Sequence, residues 1–341
     1  MDAFVTQWGQ GVDRWLLRLE PFWPHLAAMI SVALAITVTI HVSQNKRDAR
    51  AAAAWTGLVW LVPVFGALLY FLLGVNRIRR RARQLTGGKI ETDEGWRVAA
   101  EPLPLHGHFQ ELSRLVGRLT HLPLTDGNRI TPLDAPAAYQ QMLDAIESAN
   151  ESIFLATYIF GNDAAGRPVV EALARAVQRG VKVRVLVDGV GSLYSLPSVV
   201  WRLRRNKVPV QRFLYSLAPW RMPYINLRNH RKFMIVDRET GFTGGMNIRA
   251  GYIQTPPSIT DLHARLEGPV VGQLLRSFAA DWLFSCGELL ETSYRGLAQL
   301  GEVKARGISA GPDADFDKRR LTLLAAIGAA EHRIRIVTPY F

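Results

Sequence analysis

Two apolar runs dominate the N-terminal part of the chain, Leu26 to Val42 and Ala51 to Val75. No Asp, Glu, Lys or Arg occurs from Pro21 to Asn45, and none again from Ala51 to Asn76. A bilayer core needs roughly 20 apolar residues per helix, with about 17 the lower limit. The second run meets this easily, the first with Pro21, Phe22 and Trp23 added at its edge. Both are apolar all round, and Trp23, Trp55, Trp60 and Tyr70 lie toward their ends, as in interfacial belts. The pattern predicts a two-helix transmembrane hairpin over 21–76, preceded by a segment 1–20. A secretory signal would begin with a basic stretch, whereas Asp13 and Glu20 precede this run.

Past the hairpin, 77–133 is mixed in character, basic at its start and without a long periodic run. It reads as a connector with little core of its own. From Asp134 the pattern alternates between helix and strand. Helices are expected over Ala137–Asn150, Val169–Arg179, Tyr194–Asn206 and Val270–Phe284. Strands are expected over Ser152–Phe160, Val181–Val187, Val208–Phe213, Lys232–Asp237 and Ala264–Glu267. Such alternation predicts an α/β sheet domain over 134–295. Laid without gaps over Asp315–Phe341, Asp134–Phe160 matches at 8 of 27 positions, among them Leu143/Leu324, Ile146/Ile327 and Ile153/Ile334. Composition alone would give about two. After a linker 296–314, residues 315–341 therefore read as the start of a second, incomplete half, so the chain looks truncated.

The 341 residues carry 41 Lys+Arg against 29 Asp+Glu, a formal charge of +12. This suggests a polyanionic partner, nucleic acid or an anionic membrane. The single cysteine, Cys286, excludes an intrachain disulfide scaffold. Arg77, Arg79, Arg80, Arg81 and Arg83 follow the second run, against Lys46, Arg47 and Arg50 in the connection. The larger cluster favours a cytoplasmic C-terminal part. The basic stretch Arg202, Arg204, Arg205 and Lys207 reads as a solvated helix face.

Chemistry concentrates in Asn226–Asn247. His230 and Lys232 are two apart and face the same way on an extended chain. An imidazole beside a fixed ammonium suits attack on a phosphodiester: the ring is the nucleophile and the cation neutralises phosphate oxygens. Gly244 and Gly245 allow close backbone approach, and the Asn247 amide is able to donate to a phosphate oxygen. No spacing resembles a metal site, a P-loop or a dinucleotide fingerprint.

The spaced set His230-x-Lys232-x4-Asp237-x6-Gly244-Gly245-x-Asn247 resembles the HKD signature of the phospholipase D superfamily. The surrounding Asn226-Leu-Arg-Asn-His-Arg-Lys232 resembles the bacterial cardiolipin synthases in particular, as do Tyr158–Asp163, Val185–Ser192 and Asp261–Pro269. Trp60-Leu-Val-Pro-Val-Phe-Gly66 is similar to that family's N-terminal segment, and Thr338–Phe341 to the first strand of its second catalytic half. The resemblance runs from about residue 20 to the end.

What it implies is phosphatidyl transfer between two phosphatidylglycerol molecules, with no cofactor and no metal, through a phosphohistidine intermediate. By carry-over His230 is the nucleophile or the general acid, and Lys232, Asn247 and Gly245 bind phosphate. Asp237 is a structural or hydrogen-bonding member of the motif. Asp261, or failing it Glu267, orients the histidine. The implied setting is a multi-pass protein of the bacterial inner membrane with its catalytic part in the cytoplasm. Nucleic acid is not expected as a partner. A second HKD motif is missing, since His332-Arg-Ile-Arg has no Lys two residues on. A homodimer pairing two His230 residues is one remedy. Alternatives are a phosphatidyltransferase or hydrolase using water or another alcohol, and an inactive membrane protein.

Overall fold

The computed structural model describes residues 22–46, 49–75, 105, 107–214, 228–254, 256, 259–295, 299–309 and 316–337. Segment 1–20, the Arg77–Arg83 cluster, Asn226 and Leu227, and Thr338–Phe341 lie outside them. The chain divides into two units, Met1–Asn76 and Arg77–Phe341.

In the first unit, helix α1 (Trp23–Asn45) is long and apolar enough to cross a membrane. It is the one helix of that kind among the described residues. The second apolar run departs from the expected single rod. It forms α2 (Ala49–Leu61), breaks at Val62, and continues as α3 (Pro63–Leu69) and a π turn at Tyr70–Gly74. Pro63 is the cause: its ring crowds the preceding residue out of the helical region, and Val62 sits at φ −136°, ψ 77°. Ala35, Val38 and Val42 of α1 pack with Val59, Ala67 and Tyr70. Trp60 Nε1 donates to Thr39 Oγ1 at 3.1 Å, and His41 Nδ1 lies 2.7 Å from the Tyr70 hydroxyl. In an apolar surrounding such polar groups need one another as partners.

In the second unit, the expected connector contains helix α4 (His108–Thr120) and a ten-residue strand, β1 (Thr125–Asp134). Its start, Thr-Asp-Gly-Asn, hides a strand because the buried polar groups find partners inside the protein. Asn128 Nδ2 donates to the carbonyls of Thr125 and Val303 at 3.0 and 2.9 Å, and its Oδ1 accepts from Val270 N at 2.9 Å. Asp134 then caps α5 (Ala135–Ser148), accepting from Ala137 N at 2.8 Å.

There follow β2 (Ser152–Thr157), α6 (Gly166–Gln178), β3 (Lys182–Asp188), α7 (Val199–Arg205), β4 (Val210–Phe213), β5 (Phe233–Val236) and β6 (Thr240–Gly244). β7 (Leu262–Glu267), α8 (Val270–Cys286), β8 (Val303–Ala305) and α9 (Phe316–Gly328) complete the described elements. The helix expected from Tyr194 starts only at Val199, after Pro197 and the cap Ser198. The strands form one mixed sheet in the order β4-β3-β2-β5-β6-β7-β1-β8, with β2-β3 and β3-β4 parallel. β2 is buried on both faces. Ile153 and Leu155 face a core with Met142, Ile146 and Leu173, whereas Phe154 and Ala156 face one with Phe278 and Trp282.

Of the expected second half, α9 forms, but Ile334–Val337 is not a strand, and Ile334, Ile336 and Val337 are exposed. A strand exists only against a hydrogen-bonded neighbour, and the described sheet offers this segment none.

Candidate active site

The parallel strands β2 and β3 end on the same side of the sheet, which in α/β folds is where ligands bind. At that end Asp188 is buried and aims both carboxylate oxygens at backbone amides. Oδ1 accepts from Val190 and Gly191 at 2.9 and 3.0 Å, and Oδ2 accepts from Asn229 at 3.0 Å. Asn229 Nδ2 donates to Asp281 Oδ2 at 2.8 Å, and Arg231 pairs with the same oxygen. Both residues flanking His230 are thereby tied to the fold, and the imidazole is left at the surface between them. Its ring lies against Tyr158, at the end of β2, with centroids 4.6 Å apart.

Lys232 is buried, with Nζ 2.9 Å from the His230 carbonyl, 3.1 Å from Nδ1 and 3.4 Å from Nε2. Burial lowers its pKa to about 8 against the opposing pull of Asp261. His230 is also held below the usual histidine value, by desolvation first and then by the positive charges of Lys232 and Arg319. The ring is therefore neutral at neutral pH, the form with a free electron pair.

Gly244 faces His263 across β6–β7, and Gly245 abuts Asp261. A Cβ at Gly245 would lie 2.4 Å from Asp261 Oδ1, and one at Gly244 2.4 Å from His263 Nδ1. The glycines thus let Asp261 and His263 close on the site. Burial raises the Asp261 pKa, countered by the Leu262 and Gly245 amides and by Lys232. Among the described contacts none runs from Asp261 to the His230 ring; its charge acts on Lys232. Asn247 is buried, with Oδ1 accepting from Ile159 N at 3.1 Å and Nδ2 donating to the Tyr252 hydroxyl at 3.2 Å. One Nδ2 hydrogen remains for another acceptor.

Two expected residues stand elsewhere. Asp237 closes the β5–β6 turn at the opposite end of β5, on the order of 23 Å along an extended chain from His230. Its carboxylate accepts from the amides of Asn150, Glu151 and Ser152 at 3.0, 2.7 and 2.8 Å. Glu267 lies at that same far end, opposite Thr240, and pairs with Arg265 at 3.0 Å and Arg129 at 3.8 Å. Among the described residues no His/Cys/Asp/Glu cluster forms a metal site.

Residues 142–282, which include all of this constellation, match the family described as cardiolipin synthase, PLD-like domain. Residues 33–74 match the one described as phospholipase D-nuclease N-terminal. Cardiolipin synthase 1 of Bacillus anthracis is 30% identical over 339 residues, covering 93% of this chain and 67% of its own length. The chain belongs to the cardiolipin synthase family. Cardiolipin synthase A of Pseudomonas putida is likewise 30% identical, over 90% of this chain and 67% of the relative. The chain thus spans about two thirds of the length of these family members. A solved phospholipase D family member, Nuc from Salmonella typhimurium, aligns at 21% identity over 46% of this chain and 96% of that one, with a TM-score of 0.38.

Within this family site, Tyr158 and Asp188 were visible in the sequence only inside family-like segments, without a role of their own, and Asp281 was not visible at all. His263 was legible as an ordinary residue of an alternating strand or as a partner standing behind the site. It is 2% exposed, and its Nδ1 has no partner among the described residues. Burial and the nearby Lys232 lower its pKa to about 4, so it stays neutral.

Proposed function

We propose that this protein is a membrane-bound cardiolipin synthase, transferring a phosphatidyl group between two phosphatidylglycerol molecules through a phosphohistidine at His230. The observation that carries the reading is the neutral, surface-reaching His230 ring with the Lys232 ammonium 3.1 Å away, on a backbone clamped by Asp188 and Asp281. In the first step an imidazole nitrogen attacks phosphorus and the P–O bond to glycerol breaks. The departing alkoxide takes a proton from a general acid. In the second step a hydroxyl of another phosphatidylglycerol gives up its proton and attacks. The N–P bond breaks, cardiolipin leaves, and His230 is restored.

Lys232 neutralises the nonbridging phosphate oxygens. An anionic phosphate draws its Nζ away from the imidazole nitrogens it now faces and frees them for attack. Asp261 sustains the charge on Lys232, Gly245 lets that carboxylate approach, and Asn247 offers its remaining N–H. Asp237 is a structural member of the motif. The leaving glycerol requires a second acid, and a second His-x-Lys motif, as in a second copy of the chain, would supply it. The proposed setting is the bacterial inner membrane, with 21–76 as a multi-pass anchor and the catalytic part cytoplasmic.

The test is to incubate the full-length protein in detergent with phosphatidylglycerol and follow cardiolipin, glycerol and acid-labile phosphohistidine. All three are expected, and all are lost in His230→Ala. An unchanged cardiolipin yield from that variant overturns the assignment. Water or an added alcohol taking the place of the second lipid in the product would identify a different acceptor.

A further inference from the structure

Between Asp188 and Asp237 the chain holds nine arginines and lysines and no aspartate or glutamate. The described part of this acid-free stretch carries an unusual surface. Leu193, Tyr194, Leu196 and Trp201 are 51%, 57%, 89% and 52% exposed, within nine residues of chain. Arg204, Arg205 and Lys207 are exposed beside them, and the Arg205 guanidinium sits 5.3 Å from the Trp201 ring centre.

The patch is built, not slack. Ser198 caps α7 and donates to the Ser192 carbonyl at 2.8 Å. Asn162 Nδ2 donates to the Pro197 carbonyl at 2.9 Å, and Arg202 Nε donates to Asn162 Oδ1 at 3.0 Å. These bonds hold the apolar side chains outward, where they lose the favourable burial that an aliphatic residue normally finds. The patch also adjoins the reaction centre, for the Tyr194 ring is 6.3 Å from that of Tyr158, which lies on His230.

We propose that Leu193–Lys207 is an interfacial docking surface that seats on an anionic bilayer and brings the mouth of the His230 site to the headgroups. The inference rests on the lipid-transfer reading above. Apolar tips entering the acyl boundary, an indole at headgroup depth and cations meeting phosphate are the combination that interfacial segments use. Each basic residue near an anionic surface contributes about 1 kcal/mol, roughly a fivefold gain in partitioning. Nucleic acid would satisfy the cations and leave Leu193 and Leu196 in water, which is why the bilayer is the occupant.

The experiment places one environment-sensitive label at a time on the full-length protein, in a Cys286→Ser, His230→Ala background that leaves the lipid unaltered. Leu196→Cys reports the patch, and Glu302→Cys, exposed near the opposite edge of the sheet, is the control. The proteins are reconstituted in phosphatidylcholine vesicles with or without phosphatidylglycerol, and with a lipid-borne nitroxide. The label at 196 is expected to be quenched in the anionic vesicles and the label at 302 to be spared. Changing Arg204, Arg205 and Lys207 to Gln is expected to weaken the anionic preference roughly fivefold per charge. Equal quenching at both positions, none at 196, or a response to a single-stranded oligonucleotide in place of vesicles overturns the docking surface. The two readings fail separately. Loss of quenching while His230-containing protein still makes cardiolipin removes only the docking surface, whereas quenching without product removes the enzymatic reading.

Discussion

The backbone amide of Asn229 donates to the buried Asp188 carboxylate at 3.0 Å, one residue before His230. The end of β3 thereby sets where the imidazole stands. Asp188→Asn retains an oxygen for Val190 and Gly191 but turns an NH2 toward the Asn229 amide. Repulsion there displaces the segment, and a misplacement of about 1 Å costs on the order of 10²-fold in rate. The expected result is a fall of that size in the rate of phosphohistidine formation, with a much smaller change in substrate affinity. Asp188→Ala leaves three amides without their acceptor, at about 1–3 kcal/mol for each one buried, and unfolding in denaturant is expected to show it.

Asp237 predicts the opposite division. It holds three amides at the head of β2, far from the imidazole, in a left-handed conformation with φ 51° that Asn tolerates. Asp237→Ala is expected to destabilise by roughly 2–4 kcal/mol and to keep its turnover number below the unfolding transition. Asp237→Asn, which keeps the oxygen serving Glu151 and Ser152, is expected to recover most of that stability. A large loss of turnover in folded Asp237→Asn would return this residue to the chemistry.

Why Asp237 stands so far from His230 is a matter of distance along a strand. A motif written as His-x-Lys-x4-Asp appears as one cluster, yet four buried residues of β5 carry its two ends to opposite edges of the sheet. The His230–Lys232 pair was legible because two residues apart on extended chain means one face. The α/β alternation was legible because Ile153–Ala156 of β2, Val185–Val187 of β3 and Phe233–Val236 of β5 are buried apolar runs. β1 was not, because Asn128 is buried through hydrogen bonds and not through hydrophobicity. Nor was the break at Val62, where a locally steric effect of Pro63 overrides a uniformly apolar run. Asp188 and His263 enter the site through tertiary pairing, which no local pattern records.

Gly244 and Gly245 separate stability from activity. A methyl group at Gly244 would meet the Leu262 carbonyl oxygen at 2.5 Å and the His263 Cα at 2.7 Å, so backbone has to move. Gly244→Ala is expected to cost about 1–3 kcal/mol or more, as overpacking does. At Gly245 the atoms met are the Asp261 carboxylate, the end of a side chain that is able to rotate. Gly245→Ala is expected to unfold at nearly the normal temperature while turning Asp261 away from Lys232. Comparing melting temperature with phosphohistidine yield in the two variants checks the distinction; equal destabilisation would mean that Asp261 does not yield.

The pH profile follows from the same pair. On the acid side, activity requires a neutral His230, whose pKa is held below the ordinary value of about 6.5, so the rise lies below that pH. On the alkaline side Lys232 gives up its proton near pH 8. The free-enzyme kcat/KM is expected to rise through the first and fall through the second. Lys232→Arg keeps the charge at all accessible pH, so the alkaline fall should vanish, at a lower plateau because a planar guanidinium does not fit an ammonium's place. In Gly245→Ala, with the Asp261 charge withdrawn, the fall should move to lower pH. Stability has the opposite sign. The folded protein binds fewer protons than the unfolded chain between about pH 8 and the free-lysine value of 10.5, so Lys232 makes the fold more stable as pH rises across that window. Wild type should therefore lose activity and gain resistance to denaturant over the same interval, relative to Lys232→Arg. An alkaline fall that persists unchanged in Lys232→Arg would assign it to another group.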